Sequence, residues 1–316
     1  MRVSVRLKNY GIPYMGSKSG ICDQIMKALP SAENFYDLFG GGFAITHAAI
    51  VAKKYKNYFF NEIEASTVEL IKKAISGEFS YTRFKPKFIS REEFFEKKDK
   101  DAYVGIIWSF GNNQKNYLFS KEIEQQKKSL HNAVVFDEFD SFSEETLGFN
   151  CWPKNIKHLK NKRLLCRQII VSKRNSKQLE RLQQLEKLQQ LQRLERLQRL
   201  QQLQQLESLQ QLQHLEMSSL DYRELKIKPN SIVYCDPPYK NTAKYLREFD
   251  HDSFYKWAKE SEHPIFISEY QMPKYFKKIA SIEKGTTLSP NGKTQATEAI
   301  FVNESAADLL FGGKQK

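Results

Sequence analysis

Asn34-Phe35-Tyr36-Asp37-Leu38-Phe39-Gly40-Gly41-Gly42-Phe43-Ala44 carries the clearest signal of architecture in the chain. Its first half is an apolar run of strand character, which three consecutive glycines then interrupt. From Phe43 to Tyr55 the residues Phe43, Ala44, His47, Ala48, Ile50 and Val51 suit a helix packed on a sheet, so the order is strand, glycine loop, helix. Asn57-Tyr58-Phe59-Phe60-Asn61-Glu62-Ile63-Glu64 reads as a second strand ending in acids, with Glu62 placed 20 residues after Gly42. In a βαβ unit of this kind the glycines let backbone approach a ligand, and the acid accepts hydrogen bonds from ribose hydroxyls. A glycine-rich turn beside a solvated Glu is the bland alternative.

The loop departs from the dinucleotide pattern Gly-x-Gly-x-x-Gly, because nothing after Gly42 supplies the third, spaced glycine. A ligand with a ribose but no pyrophosphate fits better, which points to S-adenosyl-L-methionine. Upstream, Ile12-Pro13-Tyr14-Met15-Gly16-Ser17-Lys18 places an aromatic four positions before a lysine, a stacking face and a cation that frame such a ligand. Ile21, Ile25, Met26 and Leu29 then predict a helix within Ser19 to Leu29, capped by Ser17 or Ser19.

The chemical end of the chain is Ser231-Ile232-Val233-Tyr234-Cys235-Asp236-Pro237-Pro238-Tyr239-Lys240. Ile232 to Tyr234 predict a short buried strand, and the two prolines, lacking N–H and fixed in φ, must end it. A carboxylate, rigid carbonyls and an aromatic ring therefore gather at the carboxyl end of a strand, where open α/β sheets hold ligands. The Asp236 carboxylate and Pro237 carbonyl form an acceptor pair for the two N–H groups of an exocyclic amine, with Tyr239 stacking on the ring. Asp-Pro is also an ordinary turn dipeptide.

Composition narrows the partners. The formal charge is +13, from 50 Lys and Arg against 37 Asp and Glu, which favours a polyanion such as nucleic acid. Four cysteines, Cys22, Cys151, Cys166 and Cys235, lack paired metal spacing and read as reduced thiols of a cytoplasmic protein. No metal site and no membrane span is expected. From Ile71 to Ser172, Lys85, Lys87, Arg91, Lys97, Lys98, Lys115, Lys121, Lys127 and Lys128 alternate with Phe84, Phe94, Phe95, Trp108, Phe110, Tyr117 and Phe119, a pattern suited to phosphate contacts and wedges against bases. The amide-rich run Trp108 to Tyr117 suits reading of base edges.

From Leu179 to Leu215 a leucine stands at every third residue, thirteen in all. Propensity predicts helix, yet a step of three turns the stripe by about 300°, so it circles an α-helix and cannot form an ordinary coiled coil. A 3₁₀ helix would align the leucines, but long 3₁₀ runs are uncommon. We read the repeat as an inserted helical or solenoid-like spacer, either a tolerated low-complexity insertion or an arm for DNA or a second protomer. On that reading Asp221 to Asn230 is the joint isolating the site from the spacer. Later segments complete the sheet: a helix over Phe249 to Ala258, a strand over Pro264 to Tyr270, and a hairpin of Ile279 to Glu283 with Ala299 to Asn303.

Taken in order, Tyr14-Met15-Gly16-Ser17-Lys18, Asp37-Leu38-Phe39-Gly40-Gly41-Gly42, Asn61-Glu62-Ile63-Glu64, Asp236-Pro237-Pro238-Tyr239 and Ser268-Glu269-Tyr270 make the chain resemble Dam-like adenine-N6 DNA methyltransferases, especially phage-borne ones. That family often has Trp where Tyr14 stands and Asp where Glu62 stands. The resemblance implies an α/β doubly wound methyltransferase sheet with an antiparallel final strand and an inserted, mostly helical target-recognition region. It divides the chain into 1–75 and 218–316 for cofactor and catalysis, 76–172 for recognition, and 173–217 for the repeat. It assigns Tyr14 and Lys18 to the methionine end of S-adenosyl-L-methionine, Glu62 to the ribose, and Asp37, Phe39, Gly40 and Gly42 to the loop beneath it. Asp236 would meet both cofactor and adenine, with Pro237, Pro238 and Tyr239 completing the catalytic motif. Double-stranded DNA is the implied partner, its target base flipped out of the stack, and a companion restriction endonuclease is compatible with it. The alternatives are a cytosine-N4 enzyme, an RNA or protein-glutamine methyltransferase, and an inactive DNA-binding protein.

Overall fold

The computed structural model describes residues 9–80, 84–174, 199–210, 212, 214–239, 249–285 and 295–312. The start of the chain at 1–8, the repeat over 179–198, Lys240 and the turn at 286–294 lie outside the described residues. The chain divides into two compact units, Met1–Lys72 with Leu209–Lys316, and Lys73–Ser208.

The first unit is built on a seven-stranded sheet in the order β3-β2-β1-β4-β5-β7-β6. Strands β1 (Asn34–Asp37), β2 (Asn57–Asn61), β3 (Leu215–Ser218), β4 (Ser231–Cys235) and β5 (Ile265–Glu269) run parallel. The antiparallel pair β6 (Lys277–Gly285) and β7 (Gln295–Val302) closes one side, with β7 against β5. Every residue of β1, β4 and β5 is buried, as expected of strands covered on both faces. Helices α1 (Cys22–Ala28) and α2 (Ala44–Ala52) precede and follow β1, and α3 (Ala65–Ile75) follows β2. The predicted cap of α1 is not formed: its N-cap is Ile21, while Ser19 Oγ accepts from Tyr10 N and Ser17 Oγ from Ser19 N. The Ser19 hydroxyl holds the Tyr10 backbone instead.

The end of the Leu repeat differs from a free spacer. Leu215 opens β3, which pairs with β2 from Tyr58 to Asn61, so the last repeat residue belongs to the sheet. Strand β3 therefore lies between the repeat and the catalytic strand in sequence, and Asp221 to Asn230 connects β3 to β4. Asn61 ties this edge together, its amide donating to Leu38 O and Leu220 O and its oxygen accepting from Leu220 N and Ser218 Oγ.

The second unit is helical, with α4 (Arg91–Lys97), α5 (Lys121–Phe136), α6 (Ser141–Leu147) and α7 (Leu159–Arg174). Ser90 caps α4 through Glu93 N, and Asp140 forms a capping box with Ser143 on α6. Leu130, Val134, Val135, Leu147, Cys166 and Ile170 make one core. Four of the aromatics read as wedges, Phe94, Trp108, Tyr117 and Phe119, are buried and form a second cluster with Phe88 and His131. Interleaving with lysines did not separate them from ordinary core. Phe95 and Phe110 stay exposed, at 49% and 42%.

Among the described residues no helix is long and apolar enough to cross a membrane, and no group of His, Cys, Asp and Glu is arranged to hold a metal ion. Later helices in the first unit are α8 (His251–Glu260) and α9 (Glu304–Phe311).

Candidate active site

Strand order reverses between β1 and β4: β2 and β3 extend from one side of this pair, β5 onward from the other. Parallel sheets leave their crevice at the carboxyl ends of such a pair. Asp37 ends β1 level with Tyr234 of β4, and Asp236 follows β4 directly.

Lys18 Nζ lies 2.8 Å from Asp236 Oδ2 and 3.3 Å from Glu298 Oε1, and 4.6 Å from the centre of the Tyr239 ring. Tyr239 Oη donates to the same Glu298 oxygen at 2.6 Å, and Ser268 Oγ at 2.8 Å. Glu298, on β7, is thus the hub on which a cation, a phenol and a hydroxyl converge. The lysine is brought there by a tight turn, with Ser17 N donating to Tyr14 O and Ile21 N to Lys18 O. Burial pulls the Lys18 pKa down, yet the two carboxylates more than offset it and hold the amine charged. Burial raises Asp236, Lys18 lowers it and the Glu298 charge adds to the rise, leaving it above the usual carboxylate range. Burial, followed by the nearby carboxylates, keeps the Tyr239 phenol protonated as a donor. Asp236 keeps 18% side-chain exposure against 1% for Glu298, so Asp236 is the carboxylate that faces outward.

The prolines divide their work. The Pro238 carbonyl accepts from His251 Nε2 at 2.8 Å, which anchors the turn to α8. Tyr270, 42% exposed, meets the Tyr239 ring edge-on at 4.8 Å.

A second group forms at the glycine loop. Gly40 N donates to Asn61 O, and Gly41 N to Glu62 Oε2 at 2.8 Å, while Glu62 Oε1 accepts from Glu64 N. A Cβ on Gly40 would stand 2.0 Å from the Phe60 ring, and Gly41 has φ +47. The Tyr14 side chain lies against Gly41 and Gly42, and Ile12 N donates to Gly42 O. Glu62 thereby shapes the loop through both of its carboxylate oxygens. Asp37 accepts from Thr46 Oγ1 through Oδ2, while Oδ1 is buried with no hydrogen-bond partner. Burial first, opposed by Thr46, pushes its pKa up to about 7.

The structure therefore brings Lys18, Asp236 and Tyr239 together, and Tyr14, Gly40, Gly42 and Glu62 together. Phe39, which is partly buried, leads into this loop and packs its ring on Tyr222, Phe249 and Phe254 against the hydrophobic core. The sequence reading missed Glu298 and His251. The available signal for Glu298 was a single acid inside the strand Gln295–Val302.

Two carboxylates around one lysine leave the cluster with a net negative charge, complementary to a ligand carrying a cation. The exposed Ile63 and Leu220 at the ends of β2 and β3 offer apolar surface near the glycine loop. A family model described as D12 class N6 adenine-specific DNA methyltransferase matches residues 14–263. No curated protein matches the chain.

Proposed function

Because this chain belongs to the D12 class N6 adenine-specific DNA methyltransferases, we propose that S-adenosyl-L-methionine is its methyl donor and that Lys18, Asp236, Pro237 and Tyr239 carry the transfer. The enzyme methylates the N6 amino group of adenine in DNA. The observation that carries the residue assignment is the Lys18, Asp236 and Glu298 cluster beside Tyr239.

The donor supplies an electrophilic methyl carbon on a sulfonium. Asp37 Oδ1, buried and unpartnered, and the pinned glycine loop are the features that fit its amino-acid end and its ribose, with Glu62 accepting from the latter. Asp236 and the Pro237 carbonyl accept the two N–H groups of adenine, drawing its nitrogen toward a pyramidal form that exposes the lone pair. Lys18 orients Asp236, and Glu298 fixes Lys18 and the Tyr239 phenol, so the ring that stacks on the base is held before the base arrives. Asp236, raised above the usual range, is the base placed to take the proton that N6 sheds. A duplex base must first leave the stack to reach these groups. A companion restriction endonuclease is a partner compatible with a site-specific enzyme of this kind.

Incubation with radiolabelled donor and unmethylated duplex DNA, followed by nucleoside analysis, tests the reading. N6-methyladenine is expected, and label in N4-methylcytosine would overturn the adenine assignment. Asp236→Ala is expected to lower turnover by at least about 10³-fold while the thermal transition persists; wild-type turnover would remove Asp236 from the mechanism.

A further inference from the structure

The repeat is where the function leaves a motif unused. Its described end, residues 199–205, is α-helical, and Leu206–Leu209 continue as a 3₁₀ turn. Leu200, Leu203 and Leu206 are all buried, at 2%, 0% and 0%. Three-residue spacing slips around an α-helix, and the change to 3₁₀ restores alignment where the stripe would otherwise turn outward. The Glu207 side chain packs so closely on Gly77 that a Cβ there would lie 2.9 Å from its carboxylate. These leucines are core.

Arg199, the first described residue of this helical end, is only 3% exposed. Its Nη1 donates to Ile107 O at 2.9 Å and to Ser109 O at 2.7 Å. Ile107 ends the π-helical turn Tyr103–Ile107, where carbonyls lack partners within the helix. Ser109 is the first residue of a loop closed by its bridge to Tyr117, with Phe110 N donating to Asn116 O. Inside that loop Gly111, Asn112 and Gln114 all have positive φ, between 56° and 60°. Asn113 Oδ1 accepts from Lys115 N and Asn116 N, and Ser109 Oγ from Gln114 N. Such strained backbone persists only where its surroundings determine it, and Arg199 supplies the bond at its root. The loop presents Phe110, Lys115 and Asn116 to solvent.

We propose that the end of the Leu-x-x repeat is a working part of the DNA-recognition unit, with Arg199 a positioning residue that fixes the 109–117 loop against which DNA binds. This rests on the reading that the loop meets DNA. A charged donor fork with two carbonyls in reach is well matched to holding the loop, since neither a leucine nor a glutamine of the repeat reaches both with a charge-assisted bond.

The test uses the full chain with Arg199→Met, Arg199→Lys and, for the loop itself, Phe110→Ala. Steady-state methyl transfer is measured against duplex DNA concentration, with donor KM, thermal unfolding and a map of methylated sites for each variant. Arg199→Met is expected to raise the KM for DNA by about tenfold and to spread methylation over more sequences. Its donor KM and its kcat at saturating DNA should stay within about threefold, and Arg199→Lys should recover most of the affinity. If Phe110→Ala weakens DNA binding while Arg199→Met leaves KM and site map unchanged, the Arg199 role is overturned. A fall of kcat alone in Arg199→Met, matching a loss of folded protein that Lys does not restore, overturns it as well. If Phe110→Ala also leaves the DNA KM and site map untouched, the loop does not meet DNA and the underlying reading fails with it.

Discussion

Glu298 concentrates three donors on one oxygen, Tyr239 Oη, Ser268 Oγ and Lys18 Nζ, while its other oxygen is buried without a hydrogen bond. Glu298→Gln keeps an acceptor for the two hydroxyls but removes the charge, leaving Lys18 to Asp236 alone. The expected result is a folded enzyme with turnover lowered by about 10- to 100-fold, since the motif residues lose fixed positions rather than chemistry. Glu298→Ala strands a buried lysine and two hydroxyls, and a loss of about 3 to 5 kcal/mol in denaturant unfolding is expected. Equal stability of Gln and Ala variants would show that the hub carries nothing. Asp37 makes a second prediction, about pH. Its folded pKa of about 7 stands above the ordinary 3.8, so its contribution is most favourable below 3.8 and is lost as pH rises toward about 7. His47 works oppositely: burial lowers it to about 4, and Gly11 N donates to its Nδ1, so its contribution is full above 6.5 and lost as pH falls toward 4. Asp37→Asn should therefore gain about 3 kcal/mol on wild type between pH 5 and pH 8. An unchanged difference in urea unfolding at the two pH values would refute the assignment.

At the scale of elements, the glycine loop works by close approach. Gly40→Ala drives a methyl group into the Phe60 ring and breaks the donation from Gly40 N to Asn61 O unless the loop shifts. We expect about 1 to 3 kcal/mol of lost stability and at least a tenfold rise in donor KM. Gly20, with nothing within 4 Å of an added Cβ, is the control, and Gly20→Ala should change neither. A donor KM that moves equally in both variants would sink the idea. Much of this element was legible because each piece announces itself locally: near-continuous apolar strands, three glycines that stop one, two prolines that stop another. Glu298 was not, since only the pairing of β7 with β5 carries it to Lys18, and it lies beyond the residues matched by the family model. The aromatics of 84–119 misled for the reverse reason, as burial of Trp108 or Phe94 depends on helices packed from elsewhere in the sequence. The repeat was legible as a conflict of periods, and the 3₁₀ turn at Leu206–Leu209 shows one local resolution of it.

For the whole molecule, two electrostatic systems should respond differently to salt. Residues 73–208 hold 26 Lys and Arg against 17 Asp and Glu, a net +9 of the chain's +13, so the excess falls on the unit that contains the 109–117 loop. Contacts between such surface cations and phosphates release counterions and weaken steeply as salt rises. Lys18 and Glu298, at 5% and 1% exposure, face each other out of water and are screened far less. Raising monovalent salt from about 50 to about 200 mM should therefore raise the KM for DNA by at least about 100-fold, the response of a surface making several phosphate contacts. Donor KM and kcat at saturating DNA should stay within about threefold, because the buried cluster does not sense the added ions. A DNA KM that stayed flat over this range would mean that the basic unit does not bind the phosphate backbone, and the charge would need another partner. A kcat that fell in step with it would mean instead that the catalytic cluster is open to solvent ions, contrary to its burial.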